Sequence, residues 1–205
     1  MKYKWGVTMK RLIFPLLIMI VLLSACLSDE RRIMIKRGEL TEYEQKLNQL
    51  IGDQLLIYDI QHATDQVEAA IATIDYYEYG QYKDTVSNIS ISFSAEDLEE
   101  SIRLVVLNQQ MEDKEKWITA FLTKTAVVSN ENERDLVGKE EVGQSTGVGG
   151  IVEPTPIQLN DKQVIGSIVR TSKGEMATMN HIESEADLKR ATNYEQVFII
   201  SLELQ

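Results

Sequence analysis

Cysteine and histidine are scarce in this chain of 205 residues, which has one cysteine and two histidines. A single cysteine excludes a disulfide within the chain, so the folded part must depend on its apolar core. Nucleophilic catalysis needs a nucleophile held beside a base. The one Gly-x-Ser-x-Gly sequence, centred on Ser145, lies in a Gly-rich stretch expected to be a linker and not in a strand-to-helix elbow. These absences favour a protein that is not an enzyme, and no catalytic residue is predicted.

The two histidines give little reason to expect a metal. His62 has Asp59 and Asp65 three residues away on either side, a spacing that would gather all three side chains on one face of a helix. Such groups are common on solvated helix faces, so solvation is the preferred interpretation. His181 stands near Glu183 at the expected end of a strand. Neither a metal nor a cofactor is predicted.

Positive charge is also in short supply. The chain has 21 Lys and Arg residues against 32 Asp and Glu, a net charge of −11. Four of the basic residues precede residue 12, and without them 17 basic residues stand against the same 32 acidic ones, a net charge of −15. A body of this charge is repelled by polyanions. Nucleic acid is therefore not an expected partner.

The one long apolar run is "LIFPLLIMIVLLSAC", residues 12–26, which follows the four basic residues and ends on small ones. A membrane-spanning helix needs about 20 apolar residues, and this run is shorter and contains Pro15. A basic segment, a short apolar segment and small residues are typical of a secretory signal peptide. An uncleaved membrane anchor is the alternative, and translation from either Met1 or Met9 would retain the segment.

The residues Leu23-Ser24-Ala25-Cys26 resemble the lipobox of bacterial lipoproteins. The resemblance covers only the start of the chain. It implies that signal peptidase II recognises Leu23, Ser24 and Ala25, that residues 1–25 are removed as a signal peptide, and that the Cys26 sulfur carries a diacylglyceryl group. It also implies a protein anchored by lipid to the extracytoplasmic face of the cell membrane.

Residues 26–39 are then expected to form a tether near the membrane, and residues 40–137 a helical region. In the helical region, apolar residues recur at spacings of three, four and seven, which is the pattern of a helix stripe. Thr41 and Glu44 have the spacing of a capping box, and a break at Gly52 is left open. The pattern predicts a long-helix hairpin or a small helical bundle, whose coiled-coil stripe would offer a surface for a homo-oligomer.

The second half of the chain has a different composition. Glycine, serine and charged residues predict a flexible linker over residues 138–150. Residues 151–205 are expected to form a small antiparallel β-containing module, with a short helix opening at Ser184 and a buried strand in "EQVFIISLEL". The predicted fold class is therefore α+β, helical first and β-containing second.

A cluster of tyrosines in "TIDYYEYGQY" is the strongest candidate for a contact surface, because aromatic side chains give large contact area at low entropy cost. Its members are Tyr76, Tyr77, Tyr79 and Tyr82. The alternative is that some of them complete the core. The leading hypothesis is a membrane-anchored, non-catalytic interaction or envelope-assembly module with a protein or cell-envelope partner. A small solute-binding or sensing lipoprotein is the second hypothesis, and an enzyme acting on the cell wall is the third.

Overall fold

The computed structural model describes residues 32–51, 54–61, 63, 66–136, 145–172, 182 and 184–205. Residues 32–205 form one compact unit. The described part of the chain contains two helices, α1 (Glu42–Ile51) and α2 (Glu185–Ala191), and a turn of 3-10 helix at Asp97–Glu99. Its strands are β1 (Met34–Arg37), β2 (Gln54–Gln61), β3 (Ala69–Glu78), β4 (Gln81–Ser92), β5 (Ile102–Gln110), β6 (Lys114–Leu122), β7 (Val127–Asp135), β8 (Ser145–Gly150), β9 (Thr155–Pro156), β10 (Gln163–Thr171) and β11 (Gln196–Leu204).

The strands form two antiparallel sheets. Within the described residues, sheet A has the order β7-β6-β5-β2-β1-β9 and sheet B the order β4-β3-β11-β10-β8. Side chains from the inner faces of both sheets share one apolar core, and Ser87 of β4 donates a buried hydrogen bond of 2.9 Å to Thr119 of β6. The molecule is therefore a β-sandwich.

Alternation along the strands explains how the inner faces are filled. In β5, Ile102, Leu104 and Val106 are buried while the residues between them are half-exposed. The same alternation runs through β3 and β6. Because successive side chains on a strand point to opposite faces, every second residue reaches the core.

Three aromatic rings join the two sheets at the centre of this core. The Trp117 ring of β6 lies 4.6 Å from the Phe198 ring of β11, and the Tyr76 ring of β3 stacks on Phe198 at 4.9 Å. All three side chains are buried. Aromatic side chains contribute strongly to a core because each removes a large apolar area from water.

The predicted helical hairpin or bundle over residues 40–137 is wrong. Among the described residues of this region, only α1 follows the helical pattern. It begins with the predicted capping box: Thr41 and Glu44 each donate a backbone N–H to the other's side chain. The other described residues of the region form β2 to β7, the short 3-10 turn and the loops that connect them. No long helix or coiled coil is present among the residues described, so the helical surface on which a homo-oligomer was predicted is absent from them.

The second half of the chain agrees with the sequence in part. The strand predicted in "EQVFIISLEL" is β11, and Ser184 caps α2 by accepting from the backbone N–H of Asp187. Residues 145–150 of the predicted linker instead form β8, which pairs with β10, while residues 138–144 lie outside the described part. Because β11 pairs with β3, the C-terminal strands complete a sheet begun earlier in the chain and do not form a separate module.

Candidate functional site

The β3–β4 hairpin presents two exposed aromatic side chains at its tip. Tyr79 is 63% exposed and Tyr82 is 55% exposed. Tyr79 and Gly80 have φ of 49° and 80°, the positive values of a type I′ hairpin turn. Their backbone N–H groups donate to the carbonyls of Tyr194 and Thr192, both at 2.8 Å. The turn is therefore fixed to the segment after α2, and its tyrosines stand on a rigid support.

The other two predicted contact residues, Tyr76 and Tyr77, are more buried. Tyr76 is 3% exposed and belongs to the core. Burial, together with its hydrogen bond to Glu78, raises the pKa of its phenol. Tyr77 is half-buried on the outer face of sheet B and packs against a second apolar cluster that includes Leu188 of α2. The four tyrosines are adjacent in sequence, but only Tyr79 and Tyr82 present large exposed surfaces.

A row of polar and aromatic side chains crosses the outer face of sheet B beside this tip. The Lys162 ammonium donates to Asp75 Oδ2 at 2.9 Å, and Thr85 Oγ1 donates to Asp75 Oδ1 at 2.7 Å. The Tyr82 and Thr85 hydroxyls are 2.9 Å apart, and the Tyr82 ring meets the Tyr77 ring edge-on at 5.7 Å. We name these five side chains the outer row.

A cleft of about 420 Å³ adjoins the outer row, and Lys162 belongs to both. Its polar walls include Gln158, Asp161 and Gln163, and its apolar walls include Ile151 and Ile182. Ile182 also packs on the cluster that holds Tyr77. The cleft, the outer row and the hairpin tip therefore form one continuous surface.

A buried charge cluster between the two sheets was not predicted from the sequence. Arg170 of β10 donates to Glu115 of β6 at 2.8 Å and to Asn108 of β5 at 2.7 Å, and all three side chains are buried. The other carboxylate oxygen of Glu115 faces Arg134 Nε at 3.3 Å. The Arg134 guanidinium lies over the Tyr76 ring at 3.8 Å. This cluster links sheet B to sheet A through hydrogen bonds and ion pairs in the core.

Several predicted positions lie outside the described residues: Leu23, Ser24, Ala25, Cys26, His62, Asp65 and His181. Asp59, the described member of the possible metal set, accepts two hydrogen bonds from Arg103, at 2.8 and 3.3 Å. In the ranges described, no group of three or more His, Cys, Asp or Glu side chains could hold a metal ion.

None of the helices described has the length and apolar character needed to cross a membrane.

A family model described as the YgaN domain matches residues 34–204. The chain belongs to the YgaN family. The matched YgaN domain runs from the start of β1 to the end of β11, so it includes both sheets, the hairpin tip and the outer row. No curated protein and no solved structure matches the chain.

Proposed function

We propose that the chain is a lipid-anchored protein of the extracytoplasmic face of the membrane, and that it acts by binding a component of the cell envelope rather than by catalysis. The Leu23-Ser24-Ala25-Cys26 sequence supports the anchor. The exposed hairpin tip supports the binding role. The diacylglyceryl group at Cys26 holds the domain at the membrane, where the tip meets its partner.

The observation that carries the binding role is the pair of exposed tyrosines on a fixed turn. Tyr79 and Tyr82 stand on a hairpin whose backbone is hydrogen-bonded to residues 192 and 194. Tyrosines are enriched among the residues that contribute most to binding. A rigid support reduces the entropy lost on association. The tip therefore has both the chemistry and the rigidity of a contact surface.

The anchor keeps this surface close to the membrane. Of the residues 26–39 predicted as a tether, Met34–Arg37 belong to β1, so the proposed tether is confined to the residues before Met34. Seven residues lie between Cys26 and Met34, and the eight residue steps from one to the other span at most about 29 Å when fully extended. The folded domain therefore begins close to the membrane, and we place its partner among the envelope components near the membrane surface.

Metabolic labelling with a clickable fatty acid tests the anchor. Cells expressing the wild-type chain should incorporate label into it and retain it in the membrane fraction. The Cys26→Ser variant should lose the label, because serine has no thiol to alkylate. A labelled Cys26→Ser variant that stays in the membrane would contradict the lipid anchor.

Photo-crosslinking in living cells tests the surface. A photoreactive phenylalanine analogue placed at Tyr79 or Tyr82 should yield a discrete adduct. The same analogue at Tyr43 of α1, which is 71% exposed, is the matched control and should yield none. Equal adducts at all three positions, or adducts only at Tyr43, would refute the proposed surface.

A further inference from the structure

We infer that the envelope component bound at this surface is a neutral saccharide, held along the outer row and in the adjoining cleft. The inference rests on the proposed function and names the chemical class of its partner. It is drawn from the charge, the hydrogen-bonding groups and the aromatic rings that meet there.

The charge of the surface selects against anionic partners. In the outer row the Lys162 ammonium and the Asp75 carboxylate neutralise each other at 2.9 Å, and the cleft is lined by a further carboxylate, Asp161. Around them, the chain after residue 25 carries a net charge of −15, which repels a polyanion. A neutral ligand meets no such repulsion, and its hydroxyls can donate hydrogen bonds to the carboxylates.

The polar groups suit a ligand rich in hydroxyls. Asp75 accepts from both Lys162 and Thr85, and its side chain is still 13% exposed, while that of Lys162 is 45% exposed. The cleft adds the amides of Gln158 and Gln163, each with a donor and an acceptor. A hydroxyl is both donor and acceptor, so a ligand carrying several of them can satisfy such a mixed set.

The aromatic groups suit the apolar faces of sugar rings. Tyr82 is held by its hydroxyl contact with Thr85 and by the edge of Tyr77, yet more than half of its surface is exposed. A tyrosine fixed in this way offers an apolar ring face beside hydrogen-bonding groups. A sugar ring has the complementary character, with C–H groups on its face and hydroxyls at its rim.

The dimensions favour an oligosaccharide. The cleft of about 420 Å³ lies within the size range of small-ligand pockets. From Asp75 to Glu78 the strand advances about 10 Å, at roughly 3.3 Å per residue, and Tyr79 lies beyond its end. The continuous surface is therefore longer than one sugar ring, with one unit in the cleft and others along the row toward the tip.

Isothermal titration calorimetry of the detergent-solubilised full chain tests the inference, with chitotetraose, maltotetraose and xylotetraose as probes. At least one probe should bind saturably. Its affinity should be nearly the same between about 0.05 and 0.5 M NaCl, because screening affects charged partners and not neutral ones. Tyr82→Ala should reduce that affinity about tenfold or more, and Lys162→Met should also reduce it. The matched control Tyr43→Ala should bind as the wild type does.

The outcomes separate this inference from the proposed function. Absence of binding by all three probes, or equal binding by Tyr82→Ala, overturns the saccharide assignment. If the photoreactive analogue at Tyr79 then still captures a protein in cells, the binding role stands with a different partner. If neither probe binding nor a Tyr79 adduct is found, both proposals fail. Circular dichroism of Tyr82→Ala should match the wild type, because the side chain is exposed.

Discussion

Replacing Arg170 with methionine would remove the central charge of the buried cluster. The Arg170 side chain is 2% exposed and that of its partner Glu115 is 3% exposed. The substitution leaves Glu115 buried, with Arg134 as its remaining cation, and takes the donor away from Asn108 Oδ1. The methionine retains much of the apolar volume, so the main loss is electrostatic.

The expected cost follows from the burial of the pair. Removing one partner of a buried ion pair costs about 3–5 kcal/mol, because the other charge is left uncompensated. For a domain of this size that loss lowers the melting temperature by about 6–20 °C. Replacing both partners, in Arg170→Met/Glu115→Leu, should cost clearly less than the sum of the single changes, since no buried carboxylate remains.

Urea unfolding followed by tryptophan fluorescence measures these costs. The chain has two tryptophans. Trp5 lies in the proposed signal peptide, so the mature chain retains Trp117, which contacts Phe198 beneath the Arg170 guanidinium. Arg190→Met is the control, because Arg190 pairs with Asp187 on the exposed side of α2. This substitution should lower the free energy of unfolding by less than about 1 kcal/mol. The reasoning fails if Arg170→Met lowers the free energy of unfolding by less than about 1 kcal/mol. It also fails if the double variant loses as much stability as the two single variants together.

Three further predictions concern other buried groups. Gly166→Ala should destabilise the fold, because the added Cβ would lie 2.1 Å from the Tyr58 hydroxyl, and Tyr58→Phe should restore the stability measured by urea unfolding. Tyr58→Phe alone should be neutral or stabilising, since that hydroxyl is buried without a hydrogen-bond partner among the described residues. Hydrogen bonds from Thr123 and neighbouring residues lower the pKa of Asp97. The ionised carboxylate therefore stabilises the folded state above about pH 4, and this contribution is lost as the pH falls below that value. Asp97→Asn should accordingly reduce the loss of folding stability between neutral and acid pH. Burial raises the pKa of Tyr58 and Tyr76. Their neutral phenols therefore stabilise the folded state fully below about pH 10, and this contribution is lost as the pH rises beyond that value. Ultraviolet titration should show fewer ionised phenols near pH 11 in the folded chain than in urea.

Strands are easiest to recognise where their patterns are simple. The predicted strand β11 contains the apolar run Val197–Ile200, and the strictly alternating "NISISF" lies almost wholly in β4. The strands taken for helices carry apolar residues on both faces. In β3, Ile71, Ile74 and Tyr77 have a spacing of three, which imitates a helix stripe, while the buried set alternates through Ala72 and Ile74. The abundance of β-branched residues was the signal that favoured strands.

The candidate site was predictable only in part. The tyrosines were recognisable, but strand alternation places Tyr76 inside and Tyr77 outside. The Lys162–Asp75 contact joins residues 87 positions apart, and such a pairing has no local signature. For the charge cluster a signal existed: in "KEKWITAFL", Glu115 shares a face with Trp117 and Phe121, which marks a carboxylate pointing into the core.

Hydrogen–deuterium exchange most directly tests whether the hairpin tip is the binding surface. The exchange of the lipidated chain should be compared between isolated native envelopes and the detergent-purified state. The account predicts slower exchange in envelopes at the tip, residues 77–82, and in residues 192–195, which hold it, with α1 unchanged. Equal exchange at the tip in both states, or protection confined to α1, would contradict it.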